Sequence, residues 1–290
     1  MGVDGFGILV TGGGSGIGLG VAKHFAAEGA HVTICGRTEQ KLEAALGQIR
    51  KLQARAAGSG NDAADASRAG YVVADVAEED AVAEAVAQTV KRADGRLDGV
   101  VACAGGSGWI GPITQLPMEH WRSTVEINLT GTMLTLKHSA TVMARAGTGS
   151  FVAISSIASS NTHRWFGAYG VTKAGIDHLC RLAADELGPS NVRVNCIRPG
   201  LIRTDMVGAI TESDNPVRDD YRACTPLPRL GEVEDVAHLA RFLIGPESSW
   251  LTGQVINVDG GHSLRRGPDF SPWLEPAFGA AGLRGVVPDN

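Results

Sequence analysis

The stretch Val10-Thr11-Gly12-Gly13-Gly14-Ser15-Gly16-Ile17-Gly18 decides how this chain begins to fold. It joins a short apolar run, residues 8–10, to a segment with helical spacing, residues 19–28, so it predicts a strand, a turn and a helix. Glycine tolerates backbone angles that other residues avoid, and the start of the helix offers unpaired N–H groups and a positive dipole end. The stretch therefore predicts a phosphate-binding turn, with a purely structural tight turn as the alternative.

Strand-like and helix-like segments alternate from this turn to the end of the chain. The strand-like runs are continuously apolar, as expected of parallel strands that are covered on both faces. They lie at residues 8–10, 31–35, 71–74, 99–102, 150–154, 193–197 and 255–258. This order predicts an α/β fold, a single-domain doubly wound parallel sheet (Rossmann-like) of about seven strands with helices on both faces.

The segments between the strands predict helices and loops. Helical spacing covers residues 19–28, 39–54, 77–91, 118–146 (as one helix or two), 168–187 and 235–243. Residues 56–70 have no periodicity and predict a surface loop. We expect residues 1–262 to form a dinucleotide-binding catalytic domain, in which residues 205–229 are a substrate lid or a long excursion. Residues 263–290 are a tail of the same domain, which either reaches a neighbouring subunit or lies loosely in solvent.

Composition narrows the classes of partner. The chain has 290 residues, of which 43% are hydrophobic, and a net charge of −5 without a run of Lys or Arg, which argues against nucleic acid and a membrane surface. No apolar run reaches the roughly 18 residues of a membrane span, and no signal peptide is visible. Five irregularly spaced cysteines indicate buried free thiols in a reducing compartment. We expect a cytoplasmic protein that binds a small molecule and no metal.

Tyr169 and Lys173 lie four positions apart in a predicted helix, so they share one face of it, a single turn apart. A phenol ionises at about pH 10 on its own and is a poor base at neutral pH. A fixed ammonium group nearby favours the phenolate and brings the phenol toward the range that is useful for proton transfer. This spacing occurs by chance in many helices, so it needs support from other motifs.

Several motifs in a fixed order resemble those of the short-chain dehydrogenase/reductase family. The resemblance runs from about Phe6 to His262 and includes T-G-x-x-x-G-x-G at residues 11–18, Y-x-x-x-K at residues 169–173 and P-G-x-x-x-T at residues 199–204. It implies an NAD(P)(H)-dependent oxidoreductase. Such an enzyme transfers a hydride between the nicotinamide and a carbonyl or secondary alcohol, with Tyr169 as the acid/base.

The resemblance also implies roles for two other polar residues. Ser156 stands thirteen residues before Tyr169, the family's spacing for the serine that bonds the substrate oxygen. Asn128 matches the family's asparagine, which supports an ordered water near the lysine. Asparagine is unfavourable inside a helix and needs a tertiary reason, so a simple buried, hydrogen-bonded residue is the alternative. The implied catalytic set is Asn128, Ser156, Tyr169 and Lys173.

Cofactor choice depends on the end of the second strand, Gly36-Arg37. An acidic residue there would bond the adenosine ribose and favour NAD, whereas an arginine can pair with a 2′-phosphate. NADP(H) is therefore favoured and NAD(H) is the alternative, although Ser15 replaces a basic residue that NADP-preferring relatives often carry. Cys103 also replaces the second asparagine of the family's N-N-A-G motif. The cofactor-binding residues that we expect are Gly12, Gly14, Ser15, Gly16, Ile17, Gly18, Arg37, Asp75, Val76, Ala104, Gly105, Tyr169, Lys173, Pro199, Gly200, Ile202 and Thr204.

Asp75, which follows the third strand, has a competing interpretation as the N-cap of the next helix. For the substrate, three segments should surround the nicotinamide by topology: residues 106–110, 158–166 and 205–229. They supply candidate contacts, with core packing as the alternative for the aromatics and a solvated side chain for the histidine: Trp109, His163, Trp165 and Met206.

Two further expectations concern assembly and other functions. The family resemblance implies a homotetramer or homodimer packed through the helices that follow the fourth and fifth strands. A non-catalytic dinucleotide-binding regulator or scaffold would not need the complete set of four polar residues. A Rossmann methyltransferase would explain neither the Tyr–Lys pair nor the P-G segment.

Overall fold

A computed structural model of the chain describes residues 2–56, 68–211 and 215–287. Its centre is a parallel sheet with the strand order β3-β2-β1-β4-β5-β6-β7. The strands are β1 (Gly7–Thr11), β2 (His31–Gly36), β3 (Ala69–Val73), β4 (Gly99–Ala102), β5 (Gly149–Ile154), β6 (Val192–Pro199) and β7 (Val255–Val258). The predicted seven-stranded, doubly wound fold is confirmed.

Helices cover both faces of the sheet. They are α1 (Gly16–Ala27), α2 (Glu39–Ala56), α3 (Glu79–Arg92), α4 (Met118–Val125), α5 (Gly131–Ala146), α6 (Tyr169–Leu187), α7 (Gly208–Thr211), α8 (Pro216–Cys224), α9 (Val233–Ile244) and α10 (Ser271–Leu283). The apolar residues of α1, α2 and α9 form one core with the sheet, and those of α3, α5 and α6 form a second core on the opposite face.

The two cores explain why the strands are apolar at every position. In β1, Ile8 and Val10 belong to the core under α1, whereas Leu9, between them, belongs to the core under α3 and α5. Successive side chains of a strand point to opposite faces, and both faces here are covered. Burying one such aliphatic side chain contributes roughly 1.5–3 kcal/mol, so each strand is held from two sides.

Local packing shifts several predicted boundaries. The predicted helix at residues 118–146 is interrupted by a π-helical turn, Glu126–Thr130, that separates α4 from α5. β3 starts at Ala69, because Ala69 pairs with Val32 of β2, so the predicted loop is shorter at that end; its residues 57–67 lie outside the described residues. Asp75 is not a helix N-cap, which is a correction: α3 starts at Glu79 and its N-cap is Glu78.

The excursion after β6 and the C-terminal tail pack against each other. Val217 and Tyr221 of α8 form a small apolar core with Phe270 and Leu274 from the tail. Phe270 is fully buried, so the expectation of a tail lying loosely in solvent is wrong for its described part, residues 263–287. The aromatic residues of the tail give it enough apolar area to dock on its own chain. Residues 212–214 and 288–290 lie outside the described residues.

Two features are absent from the described residues, a helix able to span a membrane and a metal-binding cluster. None of the described helices combines the length and apolarity needed to cross a membrane. Within residues 2–56, 68–211 and 215–287, no group of three or more His, Cys, Asp or Glu side chains is arranged to hold a metal ion. All five cysteines are free, and all except the half-buried Cys103 are buried.

Candidate active site

The glycine-rich turn brings backbone close to backbone between β1 and α1. Gly12 has a φ of +66°, a region that favours glycine, and a Cβ on Gly18 would lie 2.3 Å from the Gly12 carbonyl oxygen. Ser15 is the N-cap of α1, and its side chain makes no capping hydrogen bond. The turn therefore leaves the first N–H groups of α1 without a side-chain cap, as an anion site at a helix N-terminus requires.

A first cleft of about 360 Å³ lies beside this turn at the ends of β1, β2 and β4. Its lining residues are Gly12, Gly36, Arg37, Ala74, Asp75, Val76, Ala104, Gly105, Gly106, Ser107, Gly108, Ser123, Thr124 and Ile127. The Arg37 guanidinium, which is 64% exposed, lies 3.8 Å from the Asp75 carboxylate. Asp75 Oδ1 also accepts a hydrogen bond from the Ala77 N–H at 3.1 Å, so the backbone turn holds this carboxylate in place.

A second cleft of about 270 Å³ shares Gly12 and residues 104–106 with the first, so the two clefts are continuous. The remainder of its lining is Ser15, Gly16, Ile17, Gly18, Cys103, Ile154, Ser155, Ser156, Tyr169, Lys173, Pro199, Gly200, Leu201, Ile202, Thr204, Asp205 and Val207. The two clefts thus bring together every predicted cofactor residue except Gly14, which lies against Lys41 and Leu42 of α2.

Ser155 and Ser156 follow β5 and differ in their surroundings. Ser155 is buried, and its hydroxyl donates to the Lys173 carbonyl oxygen at 3.0 Å, which ties the end of β5 to α6. Ser156 lines the second cleft, and its Oγ accepts a hydrogen bond from the Ala158 N–H at 3.1 Å. A hydroxyl that accepts through its oxygen keeps its hydrogen for donation, so Ser156 can donate to a ligand oxygen in the cleft.

Tyr169 begins α6, and Lys173 lies one turn further along it. Lys173 Nζ lies 5.6 Å from the centroid of the Tyr169 ring and donates to the Ile154 carbonyl oxygen at 2.8 Å. Lys173 is only 4% exposed, so its ammonium is held in one position instead of moving freely in solvent. An ammonium has three N–H donors, and the Ile154 bond uses one of them, so the others can bond a ligand hydroxyl in the cleft.

Asn128 lies in the π-helical turn and is fully buried. Its Oδ1 accepts from the Gly106 N–H at 2.9 Å, and its Nδ2 donates to the Gly106 carbonyl and to Thr172 Oγ1, both at 3.0 Å. The side chain therefore connects the loop after β4 with α6, next to Lys173. Asn128 does not line either cleft, and its three side-chain bonds go to protein atoms.

Cys103 lies in the second cleft at the position where the family has its second asparagine. Burial raises the pKa of its thiol to about 11, and the nearby Lys173 ammonium opposes that rise only in part. The thiolate is the nucleophilic form of cysteine, so this neutral thiol is not a candidate nucleophile. The Cys103 and Ala104 N–H groups both donate to Thr11 Oγ1, which holds the loop in place against β1.

Three of the predicted substrate residues, Trp109, His163 and Trp165, lie outside the lining of these two clefts. Trp109 packs edge-on against Phe278 of the tail, with ring centroids 6.5 Å apart. Trp165 has a φ of +66° and stacks on the Arg164 guanidinium. His163 packs edge-on against the Phe166 ring. Met206 lies in the short turn Asp205–Val207, and its side chain is outside the described part of the chain.

Sequence reasoning missed several lining residues. Ser123, Thr124 and Ile127 reach the first cleft from α4 and the π-helical turn, and Leu201 and Val207 reach the second cleft from the segment after β6. The spacing of Ser123 and Ile127, one helical turn apart, was a signal for a shared face. No local signal marks Leu201 and Val207, because their positions depend on how the segment after β6 folds back over the sheet.

Similarity to known proteins identifies the family of this chain. A family model described as enoyl-(acyl carrier protein) reductase matches residues 12–263. A solved short-chain type dehydrogenase/reductase from Mycobacterium ulcerans is 57% identical, with a TM-score of 0.93 over 99% of this chain and 100% of that chain. The chain belongs to the short-chain dehydrogenase/reductase family. This confirms the predicted enzyme class, an oxidoreductase that acts on CH–OH and C=O groups with NAD(P).

Two other solved relatives of this dehydrogenase/reductase are 30% identical to it. One is a 7α-hydroxysteroid dehydrogenase complexed with NADH and 7-oxo glycochenodeoxycholic acid, with a TM-score of 0.80 over 89% of this chain and 94% of that one. The other is an actinorhodin polyketide ketoreductase with NADPH, with a TM-score of 0.78 over 88% of this chain and 96% of that one. The fold thus accompanies either dinucleotide, and cofactor choice has to be argued from this chain's own residues.

Proposed function

We propose that this protein is an NADP(H)-dependent carbonyl reductase or alcohol dehydrogenase in which Tyr169 is the acid/base. The observation that carries the proposal is that Ser156, Tyr169 and Lys173 line the same cleft as the glycine-rich turn. Proton transfer and dinucleotide binding would therefore take place in one continuous space.

The residues present fit a dinucleotide. The glycine-rich turn and the uncapped start of α1 suit a pyrophosphate, which needs close backbone approach and free N–H groups. The first cleft would hold the adenosine half. The second cleft would hold the nicotinamide half between residues 104–106, Lys173 and the segment Pro199–Thr204, whose Gly200 N–H is bonded to the Val258 carbonyl at 2.9 Å.

Tyr169 and Ser156 would act on the same oxygen of the substrate. When bound, the dinucleotide supplies the hydride for carbonyl reduction or accepts it in the reverse reaction. In reduction, Tyr169 Oη donates its proton to the carbonyl oxygen as that oxygen gains negative charge, and Ser156 Oγ–H stabilises the charge with a hydrogen bond. In alcohol oxidation, Tyr169 takes the proton back.

Lys173 and Asn128 would act from behind Tyr169. The buried ammonium of Lys173 stabilises the phenolate that remains after proton donation, and its other N–H groups suit the ribose hydroxyls of the nicotinamide half. Asn128 is a positioning residue, because its amide fixes Gly106 and Thr172 on either side of the lysine. Its own contribution would be to keep this arrangement rigid.

NADP(H) preference would come from Arg37. Among the described residues that line the first cleft, Arg37 is the only cation, and its ion pair with Asp75 is long and exposed. A guanidinium has five N–H donors and a permanent charge, so it can bond a 2′-phosphate while it stays near Asp75. The ratio of kcat/KM for NADPH to that for NADH should exceed one and should reverse in Arg37→Asp. A preference of the wild-type enzyme for NADH would contradict this assignment.

The second candidate is a regulator or scaffold that binds a dinucleotide without turnover. Loss of NADPH absorbance in the presence of a panel of cyclic, aliphatic and aromatic ketones distinguishes the two functions. We expect turnover of at least one ketone that is lost in Ser156→Ala and Tyr169→Phe. Tight NADPH binding without consumption on any ketone, or on any alcohol with NADP⁺, would favour the regulator.

Two further proposals concern the assembly of the protein and its location in the cell. Large apolar side chains are exposed on α5 (Met133) and α6 (Val171 and Leu182), the helices through which we expect a homotetramer or homodimer to pack. Light scattering after size exclusion would measure the mass, and a monomer would contradict this expectation. Cytoplasmic location is likewise a proposal, which fractionation of the source cells would test.

A further inference from the structure

Three polar side chains from distant parts of the chain meet behind the active site. His163 comes from the segment after β5, Tyr221 from α8, and His262 from the turn after β7. Their ring centroids lie 6.1 Å (His163–Tyr221), 5.7 Å (Tyr221–His262) and 5.8 Å (His163–His262) apart. We call these three residues the His–Tyr–His cluster.

The hydrogen bonds of the two imidazoles fix which nitrogen carries the proton. His163 Nδ1 lies 2.8 Å from the Asn161 carbonyl oxygen, and His262 Nε2 lies 3.1 Å from the Arg266 carbonyl oxygen. A carbonyl oxygen can only accept, so each of these nitrogens carries a hydrogen. In the neutral rings, His163 Nε2 and His262 Nδ1 are therefore lone-pair acceptors.

Both rings are neutral at physiological pH, and one of the two acceptors, His262 Nδ1, lacks a hydrogen-bond partner among the described residues. Burial lowers the pKa of His163 to about 4 and also lowers the pKa of His262. His262 is fully buried, and its Nδ1 has no hydrogen-bond partner among the described residues. A buried acceptor without a partner costs roughly 1–3 kcal/mol, so such an atom in a native protein calls for an occupant.

The cluster is next to the proposed catalytic residue. The Phe166 ring contacts both Tyr169 (5.8 Å between centroids) and His163 (5.4 Å), so a single ring separates the cluster from the acid/base. Burial raises the pKa of Tyr221, and the neighbouring Tyr169 phenol adds to this effect. On its apolar side the cluster meets Phe270, whose ring centroid lies 6.0 Å from that of Tyr221, whereas Asp220, Asp259 and Arg266 lie near His262.

We propose that the His–Tyr–His cluster binds a hydroxyl group of the substrate, at the end remote from the reacting carbonyl. The ligand hydroxyl donates to an imidazole nitrogen of the cluster and accepts from the Tyr221 O–H, while its apolar body lies along Phe166. Half-buried His163 is the member that a ligand reaches first. The inference rests on the proposed function, because it describes the far end of the same substrate.

The competing occupant is a buried water, which also donates and accepts hydrogen bonds. The test uses two ketones that differ only in a hydroxyl, 4-(4-hydroxyphenyl)butan-2-one and 4-phenylbutan-2-one, titrated calorimetrically into protein saturated with NADP⁺. We expect the hydroxylated ketone to bind about tenfold more tightly, the effect of one well-formed hydrogen bond. Tyr221→Phe, which keeps the ring, should bring the ratio of the two affinities to about one.

Two further variants separate polar recognition from packing. His163→Phe should also abolish the preference, whereas Phe270→Leu, which changes only apolar contacts of Tyr221, should weaken both ketones alike and keep the ratio. Equal affinities in the wild-type protein, binding of neither ketone, or a ratio that survives both Tyr221→Phe and His163→Phe would overturn the proposal.

Turnover separates this inference from the proposed function. An enzyme that reduces both ketones with NADPH but shows no preference in binding would overturn the His–Tyr–His assignment alone. A hydroxyl preference in binding without reduction of any ketone would instead overturn the proposed function. Thermal melting of each variant with NADP⁺ verifies that it is folded before its affinities are compared.

Discussion

The cofactor side and the substrate side of this molecule are built in different ways. The two clefts lie at the ends of β1, β2, β4, β5 and β6, and glycines stand where backbone approaches backbone most closely. The proposed substrate side is formed by aromatic side chains from three separate segments: Phe166 after β5, Tyr221 in α8 and Phe270 in the tail. Close backbone approach suits the dinucleotide, the ligand that members of the family share. Side-chain packing on the other side leaves the substrate free to differ between members.

This difference predicts that the two sides respond separately to mutation, with Tyr169 between them. Substitutions in the glycine-rich turn should weaken cofactor binding and leave intact the packing of Phe166, Tyr221 and Phe270, here called the aromatic cluster. Substitutions in the aromatic cluster should weaken substrate binding and leave cofactor binding intact. Changes at Tyr169 or Ser156, which lie between the two sides, should remove turnover while both ligands still bind.

The largest expected effect is that of Tyr169→Phe. General acid catalysis contributes about 10²–10⁴-fold, so we expect kcat to fall by roughly 10³-fold, because Tyr169 is the proposed proton donor to the substrate oxygen. Steady-state kinetics and cofactor fluorescence titration measure the two quantities. The cofactor dissociation constant should change less than about threefold, because a threefold change corresponds to less free energy than one hydrogen bond contributes. Retained turnover would show that another residue moves the proton.

Next in size is Gly18→Ala. The new Cβ would lie 2.3 Å from the Gly12 carbonyl oxygen, so α1 has to move away from the turn. A misplacement of about 1 Å can cost roughly 10²-fold, and we expect a loss of that order in NADPH affinity. Gly47→Ala is the matched control, because nothing lies within 4 Å of a Cβ at Gly47. Equal affinities for the two variants would contradict a backbone cradle.

A smaller effect is expected from Phe270→Ala on the substrate side. This substitution empties a buried site against Phe166 and Tyr221, and such truncations cost about 3–5 kcal/mol of local stability. The KM for a ketone should rise about tenfold or more, because part of the lost local stability appears as weaker binding of the substrate. NADPH affinity should stay within about twofold of wild type, and a parallel loss of cofactor binding would break the separation of the two sides.

These two sides also differ in how far the sequence predicts them. The strands and the glycine-rich turn follow from local pattern, because continuous apolar runs and glycine spacing are physical requirements of covered parallel strands and a close turn. Trp109, His163 and Trp165 were expected at the site, yet they lie outside the two clefts. Their positions depend on contacts such as Trp109–Phe278, between residues far apart in the sequence, which no local pattern encodes.

The tail shows the same limit. Nothing in its periodicity indicates that Phe270 is buried against α8, and only the folded chain shows it. Likewise, the sequence marks Asn128 as a polar residue in a helix, but not that its amide bonds Gly106 and Thr172. Motifs therefore identify which residues matter on the cofactor side. Packing decides which residues matter on the substrate side.

The smallest expected effect concerns pH. Burial lowers the pKa of His163 to about 4, whereas an unfolded histidine titrates at about pH 6.5. The unfolded state therefore binds more protons between these values, so stability should fall as pH drops from about 6.5 to 4. The melting temperature should fall less over this range in His163→Phe than in the wild type. His178→Ala, at an exposed position on α6, is the control and should behave like the wild type.

The proposed function requires that the cofactor and the proton donor Tyr169 act together in one cleft. Its most direct test uses NADPH that carries deuterium at the nicotinamide position from which the hydride is transferred. Mass spectrometry of the product of a reduced ketone should show one deuterium on the carbinol carbon in the wild-type enzyme, and roughly 10³-fold less labelled product in the same time with Tyr169→Phe. Product without deuterium, or equal labelled product from both proteins, would contradict hydride transfer coupled to proton donation by Tyr169.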